Sequence, residues 1–250
     1  MQMDVIRDQL KQLRLSTAST ELEAVLSRRT GKTDVNWLSE LLEIELDMRR
    51  DNAIERRLKK ATFPERTSLE QFDWDFNKKL PREQIENLAT CDFINNNEIA
   101  LFLGSPGSGK THCAVAIGMR AAALGHSVFC TSVKRLATRL RIAKERNGLD
   151  QLFKQILTSK LWILDDWGVV SMPRDVSEEV FDLFDRRKHC SGMILTSNRD
   201  IDEWPQVFSD PVLAGAAIDR MFDRAHIAVF KGPSYRMKGR IVLSEVDKEK

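Results

Sequence analysis

The segment GSPGSGKT, residues 104–111, fits the pattern G-x-x-x-x-G-K-[ST]. It directly follows the apolar run IALFL, residues 99–103, and precedes a helical pattern that begins at His112. A loop of this kind between a buried strand and a helix turns its backbone N–H groups inward, where they surround phosphate groups. The chain is therefore restricted to folds in which a strand leads through this loop into a helix, and a nucleotide is the expected ligand.

Each residue of this loop is a candidate for cofactor binding. Lys110 has the length to reach the β- and γ-phosphates, and the Thr111 hydroxyl is suited to ligate Mg²⁺. A glycine-rich turn with an incidental lysine is the alternative, and the flanking elements argue against it. The predicted nucleotide-binding residues are Gly104, Ser105, Pro106, Gly107, Ser108, Gly109, Lys110 and Thr111.

Further apolar runs follow at residues 127–131, 161–166, 192–198 and 226–230. Each is nearly continuous rather than alternating, which is typical of strands buried on both faces of a parallel sheet. Segments of helical periodicity separate these runs. The pattern predicts a doubly wound α/β domain with helices on both sides of the sheet.

Polar residues end two of the predicted strands. Asp165 and Asp166 close the run at 161–166, where the first is a candidate Mg²⁺ ligand and the second a candidate for orienting the attacking water. Asn198 ends the next run and is a candidate γ-phosphate sensor. The alternatives are an aspartate pair that caps a loop and an asparagine that occupies a turn.

The residues before this domain divide into two parts. Apolar positions recur at helical spacing up to about residue 60, which predicts a small all-helical domain over residues 1–63. Residues 64–95 are predicted to form an ordered connector, because the nearby aromatic cluster of Phe63, Phe72, Trp74 and Phe76 is unlike the composition of a free linker. The nucleotide-binding domain is expected over residues 96–250.

Charge and cysteine usage add two expectations. Lys+Arg (39) and Asp+Glu (37) nearly cancel, so attraction to nucleic acid has to come from local clusters. The main candidates for DNA contact are Lys134, Arg135, Arg139, Arg141, Lys144 and Arg146, and a second cluster comprises Arg49, Arg50, Arg56, Arg57, Lys59 and Lys60. Solvated helix faces are the alternative for both.

Four widely spaced cysteines, at 91, 113, 130 and 190, lack any C-x-x-C pair and are expected to be buried, reduced thiols. No apolar run approaches the length of a spanning helix, so no membrane association is expected. Both observations favour a cytoplasmic protein.

The segments GSPGSGKTH, LWILDDWG, ILTSNRD, AIDRMFDRAH and PSYR together resemble the IstB-like ATP-binding proteins of bacterial insertion sequences, a branch of AAA+ that includes the DnaC-type helicase loaders. The resemblance extends from the amino-terminal helices to PSYRMKGR. It implies a P-loop AAA+ core, ATP and Mg²⁺ as cofactors, and a homo-oligomer that assembles on duplex target DNA. It also implies that the protein recruits or stimulates the element's transposase. Contacts of the basic clusters with phosphates would be largely independent of base sequence.

The resemblance further assigns two arginines. Arg220 matches the arginine finger that completes a neighbouring subunit's site, with Arg224 as a competing candidate, and Arg236 matches the second sensor of its own site. One departure concerns Asp166, because most AAA+ proteins carry glutamate there. The carboxylate is one methylene shorter, so slow, switch-like hydrolysis is expected.

A helicase loader is the main alternative, and FPERTSLEQFDWDF, residues 63–76, favours the transposition branch. A P-loop kinase of a small metabolite would need an acceptor pocket rather than an arginine from a neighbour. A DNA-coating protein whose nucleotide controls only assembly is a third possibility.

Overall fold

A computed structural model describes residues 2–27 and 36–238. The chain divides into two compact units, Met1–Arg56 and Arg57–Lys250. The first unit contains α1 (Gln2–Gln12), α2 (Ser16–Ser27) and most of α3 (Asn36–Ala61). Its core consists of apolar residues at helical spacing, namely Ile6, Leu10, Leu13, Leu22 and Leu42. The amino-terminal unit is therefore all-helical in its described part, as the periodicity predicts.

A five-stranded sheet forms the centre of the second unit, and every neighbouring pair of strands is parallel. The strands are β1 (Ile99–Gly104), β2 (Val128–Ser132), β3 (Leu161–Trp167), β4 (Gly192–Ser197) and β5 (Ala225–Phe230). Their order in the sheet is β2-β3-β4-β1-β5, so β3, β4 and β1 are consecutive neighbours in the middle. All five apolar runs identified in the sequence are strands, which confirms the predicted α/β fold.

Helices cover both faces of this sheet. One face packs against α6 (Lys110–Ala123) and the segment before β1, and the other packs against the later helices. Alternate residues of β1 separate accordingly, with Phe102 in one cluster and Leu101 in the other. The later helices are α7 (Val133–Glu145), α8 (Leu149–Leu157), α9 (Arg174–Arg187) and α10 (Pro211–Phe222).

Strand β5 departs from the expectation that every strand is buried on both faces. Ile227 and Val229 are 38% and 42% exposed, whereas Ala228 and Phe230 are buried. The reason is that β5 is an edge strand and α10 ends before it, so one of its faces lacks a helix in the part of the chain that the structure describes. The prediction of two buried faces was wrong for this strand.

The connector is ordered and contains α4 (Arg82–Leu88), α5 (Asp92–Asn95) and a 3₁₀ turn at Trp74–Phe76. Its residues Phe72 and Trp74, together with Phe63 just before it, pack against the core on the α6 side of the sheet. Cys91, Cys113 and Cys130 are buried, but Cys190 is exposed in the turn before β4, so the cysteine prediction was wrong for that residue. None of the described helices is both long and apolar enough to cross a bilayer.

Candidate nucleotide site

The loop between β1 and α6 has the backbone geometry that its glycines permit. Gly107 and Gly109 have φ of +74° and +102°, in the left-handed region where a Cβ atom is strained. A Cβ at Gly109 would lie 2.6 Å from the ring of Phe72, and one at Gly107 would lie 2.0 Å from Ser234 Oγ. Glycine is therefore required at both positions by conformation and by close neighbours from the connector and the carboxyl-terminal segment.

Lys110 lies within the loop, with 5% of its surface exposed. Its Nζ donates to Gly104 O and Ser105 O, each at 2.8 Å. Burial lowers the pKa of Lys110 to about 8, while the neighbouring Asp166 and Asp165 raise it. A negatively charged ligand in the adjacent cavity would stabilise the protonated form of this lysine and so raise its pKa.

Thr111, Asp165 and Thr196 form one hydrogen-bonded group at the carboxyl ends of the central strands. Asp165 Oδ1 accepts from Thr111 Oγ1 at 2.8 Å and from Thr196 Oγ1 at 2.6 Å. A hydroxyl and a carboxylate held side by side are oxygen ligands of the kind that Mg²⁺ takes together with waters and phosphate oxygens. The described residues contain no cluster of three or more His, Cys, Asp or Glu that could hold a metal ion without phosphate.

The end of β3 carries a bulge that sets the position of Asp166. Leu164 pairs with Leu195 and Trp167 pairs with Ser197, so two residues of β3 lie opposite Thr196 alone. Asp166 has φ of +59°, and its N–H donates to Thr196 Oγ1 at 3.0 Å instead of to a strand carbonyl. The bulge therefore turns the two adjacent carboxylates into the same crevice, which simple strand alternation would have prevented.

Asp166 and Asn198 are neighbours in this crevice. Asn198 Nδ2 donates to Asp166 Oδ1 at 3.4 Å. Burial raises the pKa of Asp166, with a further contribution from Asp165, while Lys110 and Arg236 oppose the shift. A carboxylate with a raised pKa beside a phosphate loop is suited to accept a proton.

A cavity of about 530 Å³ is lined by Lys110, Thr111, Asp166 and Asn198, and its volume lies within the usual range for a small-molecule ligand. The connector and the carboxyl-terminal segment form its remaining walls. Phe76 and Tyr235 meet edge to face at 5.0 Å, and Lys238 forms an ion pair with Asp73 at 2.5 Å. Asn77 Nδ2 donates to Lys231 O at 2.7 Å, which joins the same two segments.

The three candidate arginines occupy different places. Arg236 lines the nucleotide cavity, and its charge lowers the pKa of Asp166. Arg220 lies outside this cavity, where its Nε donates to Asp185 at 2.7 Å and its guanidinium lies 4.7 Å from the Phe181 ring centroid. Arg224 is exposed just after α10 and also lies outside the cavity. Of the three candidate arginines, only Arg236 therefore lines the nucleotide cavity.

The candidate DNA-binding cations belong mainly to α7. Arg139 is partly buried, donates to Gln155 Oε1 at 2.7 Å and lies 5.1 Å from the Phe129 ring centroid. Lys144 pairs with Glu179 at 3.2 Å. The exposed cations of this segment are Lys134, Arg135, Arg141, Lys144 and Arg146. In the second cluster Arg49 and Arg50 pair with acids of their own helix, at 2.6 and 2.9 Å.

Two parts of the site were not predicted from the sequence. The sequence indicated only that Thr196 lies at a strand end. In the structure its hydroxyl accepts from Asp166 N and donates to Asp165 Oδ1, so it contacts both residues of the bulge. Phe72, Asp73 and Phe76 of the connector line the cavity, and the sequence indicated only that this segment is ordered. A short sequence pattern cannot predict that connector residues lie against the phosphate loop, because the fold brings these two segments together.

Comparison with known proteins bears on the family and the fold of the chain. The family model of the IstB-like ATP binding protein matches residues 8–242. The IS21 putative ATP-binding protein of Pseudomonas aeruginosa is 35% identical over 232 residues, 92% of this chain and 87% of the relative. The IS5376 putative ATP-binding protein of Geobacillus stearothermophilus is 32% identical over 213 residues, 85% of each chain.

A solved structure of DnaI superposes with a TM-score of 0.58 at 21% identity, covering 66% of this chain and 92% of that one. At this identity the likeness shows the fold, which is that of P-loop AAA+ domains. The extent of the family match and the identity to the curated relatives show more than the fold. The chain belongs to the IstB-like ATP-binding proteins of insertion sequences.

Proposed function

We propose that this protein is a DNA-binding ATPase that assists transposition of an insertion sequence. In its ATP-bound form it would assemble as a homo-oligomer on duplex target DNA and recruit or stimulate the element's transposase. The observation that carries the proposal is the convergence of Lys110, the Thr111–Asp165 pair, Asp166 and Arg236 at one cavity. Membership of the IstB-like family supports the assignment of ATP to that cavity.

The loop residues 104–111 would hold the phosphates through backbone N–H groups, with Lys110 on the β- and γ-phosphates. Mg²⁺, held by Thr111 and through water by Asp165, would supply charge neutralisation between the phosphates. Thr196 would keep the Asp165 carboxylate turned towards Thr111, as its 2.6 Å hydrogen bond indicates. Arg236 would add a positive charge from the carboxyl-terminal segment of the same subunit.

Hydrolysis would depend on Asp166 and Asn198. The raised pKa of Asp166 favours acceptance of a proton from the attacking water, and Asn198 would respond to the γ-phosphate through the same hydrogen-bonded pair. The short aspartate side chain leaves the water less closely held than a glutamate would. We therefore expect slow hydrolysis in which nucleotide state acts as a switch.

Arg220 is the proposed arginine finger. It lies outside the nucleotide cavity of its own subunit, so a catalytic contribution requires a neighbouring copy. Such an arginine contributes a factor of about 10³–10⁵ to turnover in related phosphoryl-transfer sites. Arg220→Ala should therefore abolish DNA-stimulated hydrolysis while leaving ATP binding intact.

The Arg220 test needs a control, because the same residue forms an ion pair with Asp185. Asp185→Asn removes that ion pair and retains the arginine, so it should hydrolyse ATP at the parental rate. Equal loss in both variants would show that the ion pair, and not a finger, matters. Loss in Arg224→Ala with normal activity of Arg220→Ala would transfer the assignment to Arg224.

The main experiment measures particle size and ATPase rate with ATP and Mg²⁺, with and without duplex DNA. We expect a large assembly only when ATP and DNA are both present, and no assembly by Lys110→Ala. A monomer that ignores DNA and turns over normally without Arg220 would refute the proposal and favour a metabolite kinase. ATP-driven assembly without any turnover would favour the DNA-coating alternative.

The helicase-loader alternative uses the same ATP site and differs in its protein partner. Pull-down of the element's transposase by the ATP-loaded protein on DNA distinguishes the two. Capture of the replicative helicase and not of the transposase would reverse the choice.

A further inference from the structure

A groove of about 870 Å³ lies beside β2, the edge strand next to β3, and away from the nucleotide cavity. Its walls come from the end of α3, from the second half of α7 and from α8, and residues 127–129 also line it. We call it the basic groove. It shares no lining residue with the nucleotide cavity. The two sites lie at opposite ends of the sheet, because the phosphate loop follows the carboxyl end of β1 and the groove meets the amino end of β2.

The charge of this groove is of one sign. Its ionisable lining residues are Arg57, Lys60, Arg139, Arg146 and Lys154. None of the residues described as lining it is a carboxylate. Cations confined to one concave surface repel one another and concentrate a positive potential there. Such a surface is suited to a ligand that carries a row of negative charges.

The groove joins the two basic clusters that are far apart in the sequence. Arg57 belongs to the end of α3, and its Nε donates to Ala122 O at 2.7 Å. Arg139 is held by Gln155 on the opposite wall. These two guanidinium groups are fixed by the fold, whereas the remaining cations of the groove are exposed. Two guanidinium groups held in place beside exposed cations therefore lie along one groove, which suits a ligand with repeated negative charges.

The neutral residues of the groove also suit phosphate. Ser127, Gln151 and Thr158 line it, and hydroxyl and amide side chains are common partners of phosphate oxygens. The aromatic residue Phe129 is only 1% exposed and lies beneath Arg139. The groove therefore lacks an exposed ring on which an unpaired base could stack, which single-strand sites normally provide. It equally lacks an aromatic anchor pocket for a peptide.

We propose that the basic groove binds the phosphodiester backbone of duplex DNA. The proposal rests on the DNA binding put forward above and moves the contact from the exposed face of α7 to the groove between α3, α7 and α8. Binding through phosphates alone is largely independent of base sequence and sensitive to salt. Since the groove and the nucleotide cavity are separate, DNA and ATP occupy the same subunit without competing for a side chain.

The test compares two triple variants that remove the same charge. The groove variant is Lys60→Gln, Arg146→Gln, Lys154→Gln, and all three side chains are exposed, so the fold should tolerate the changes. The control variant is Lys134→Gln, Arg135→Gln, Arg141→Gln on the exposed face of α7. Affinity for a mixed-sequence duplex is measured by fluorescence anisotropy with ATP and Mg²⁺ over a range of salt. Binding of a fluorescent ATP analogue verifies that each variant retains its fold.

The groove variant should bind duplex DNA more weakly. Each phosphate contact contributes about −0.9 to the slope of log K against log salt, so the loss of three contacts should make the slope shallower by about 2.7. The control variant should keep nearly the parental slope. Equal loss in both variants, or no loss in the groove variant, would overturn the groove proposal while the parent still binds DNA. A parent that binds no duplex would refute DNA binding itself. If the groove variant lost affinity for single-stranded DNA alone, the assignment to duplex DNA would be overturned. If the groove bound an acidic protein segment and not DNA, the ligand would be a protein.

Discussion

Replacing Thr196 by valine tests the hydrogen-bonded bulge at the end of β3. Valine has nearly the same shape as threonine and removes only the hydroxyl. Thr196 is 1% exposed, so water cannot easily replace the lost group. The substitution leaves the Asp166 N–H without its acceptor and removes the donor to Asp165 Oδ1.

The magnitude follows from these two bonds. A buried N–H left without a partner costs about 1–3 kcal/mol, and a hydrogen bond to a charged group contributes about 1.5–3 kcal/mol. We expect the free energy of unfolding to fall by about 3 kcal/mol. With a urea m-value of about 3 kcal/mol/M, the midpoint of urea unfolding should decrease by about 1 M. The assay is urea unfolding followed by circular dichroism.

The same variant should also weaken Mg²⁺ binding. Loss of a residue that orients a metal ligand typically costs about 10–100-fold in metal affinity. Titrating Mg²⁺ against binding of a fluorescent ATP analogue measures this loss. Thr196→Ser is the matched control, because it retains the hydroxyl and loses one methyl group, at a cost of about 1 kcal/mol. If the valine and serine variants agree in both stability and Mg²⁺ dependence, the hydroxyl does not have the role inferred here.

Three further predictions address other parts of the structure. Asp166→Asn should bind ATP but not hydrolyse it, and the parental ATPase rate should fall at acidic pH as this carboxylate, whose pKa burial raises, becomes protonated. Gly109→Ala should lower ATP affinity, because the added Cβ would lie 2.6 Å from Phe72. Gly125→Ala is the control: it has a similar φ of +106° but no atom within 4 Å of the added Cβ, so it should lower only stability. Equal ATP affinity of the two variants would contradict the steric argument. Arg187→Met removes a buried guanidinium that donates to three backbone carbonyls, so melting should shift down by about 6–12 °C for a loss of about 3 kcal/mol, and an unchanged melting temperature would show that these bonds contribute nothing.

The strands were predictable because their signal is local. Each apolar run is long enough to define a buried strand by itself, and the segment 104–111 can adopt its conformation only with glycine at particular positions. The same reasoning assumed two covering layers for every strand. It was wrong for β5, because the number of helices that reach an edge strand depends on where α10 ends.

The site was predictable in part. The predicted site residues lie at or just beyond the carboxyl ends of strands that the order β3-β4-β1 makes neighbours, so a parallel sheet brings them to one edge. They are Lys110, Thr111, Asp165, Asp166 and Asn198. The bulge was not predictable, since strand alternation would send the two aspartates to opposite faces. Its geometry depends on the register between β3 and β4, and on the hydroxyl opposite to it.

The amino-acid sequence by itself determined the class of fold, the phosphate loop and the family, because these depend on residue types at short, fixed spacings. The tertiary structure alone decided that the connector forms a wall of the nucleotide cavity, that Arg220 lies outside this cavity, and that Arg57 and Arg146 line the same groove. These contacts join residues tens of positions apart. They form only when burial of the two faces of the sheet brings the ends of different helices to the same side. No short sequence pattern predicts which helix ends will meet.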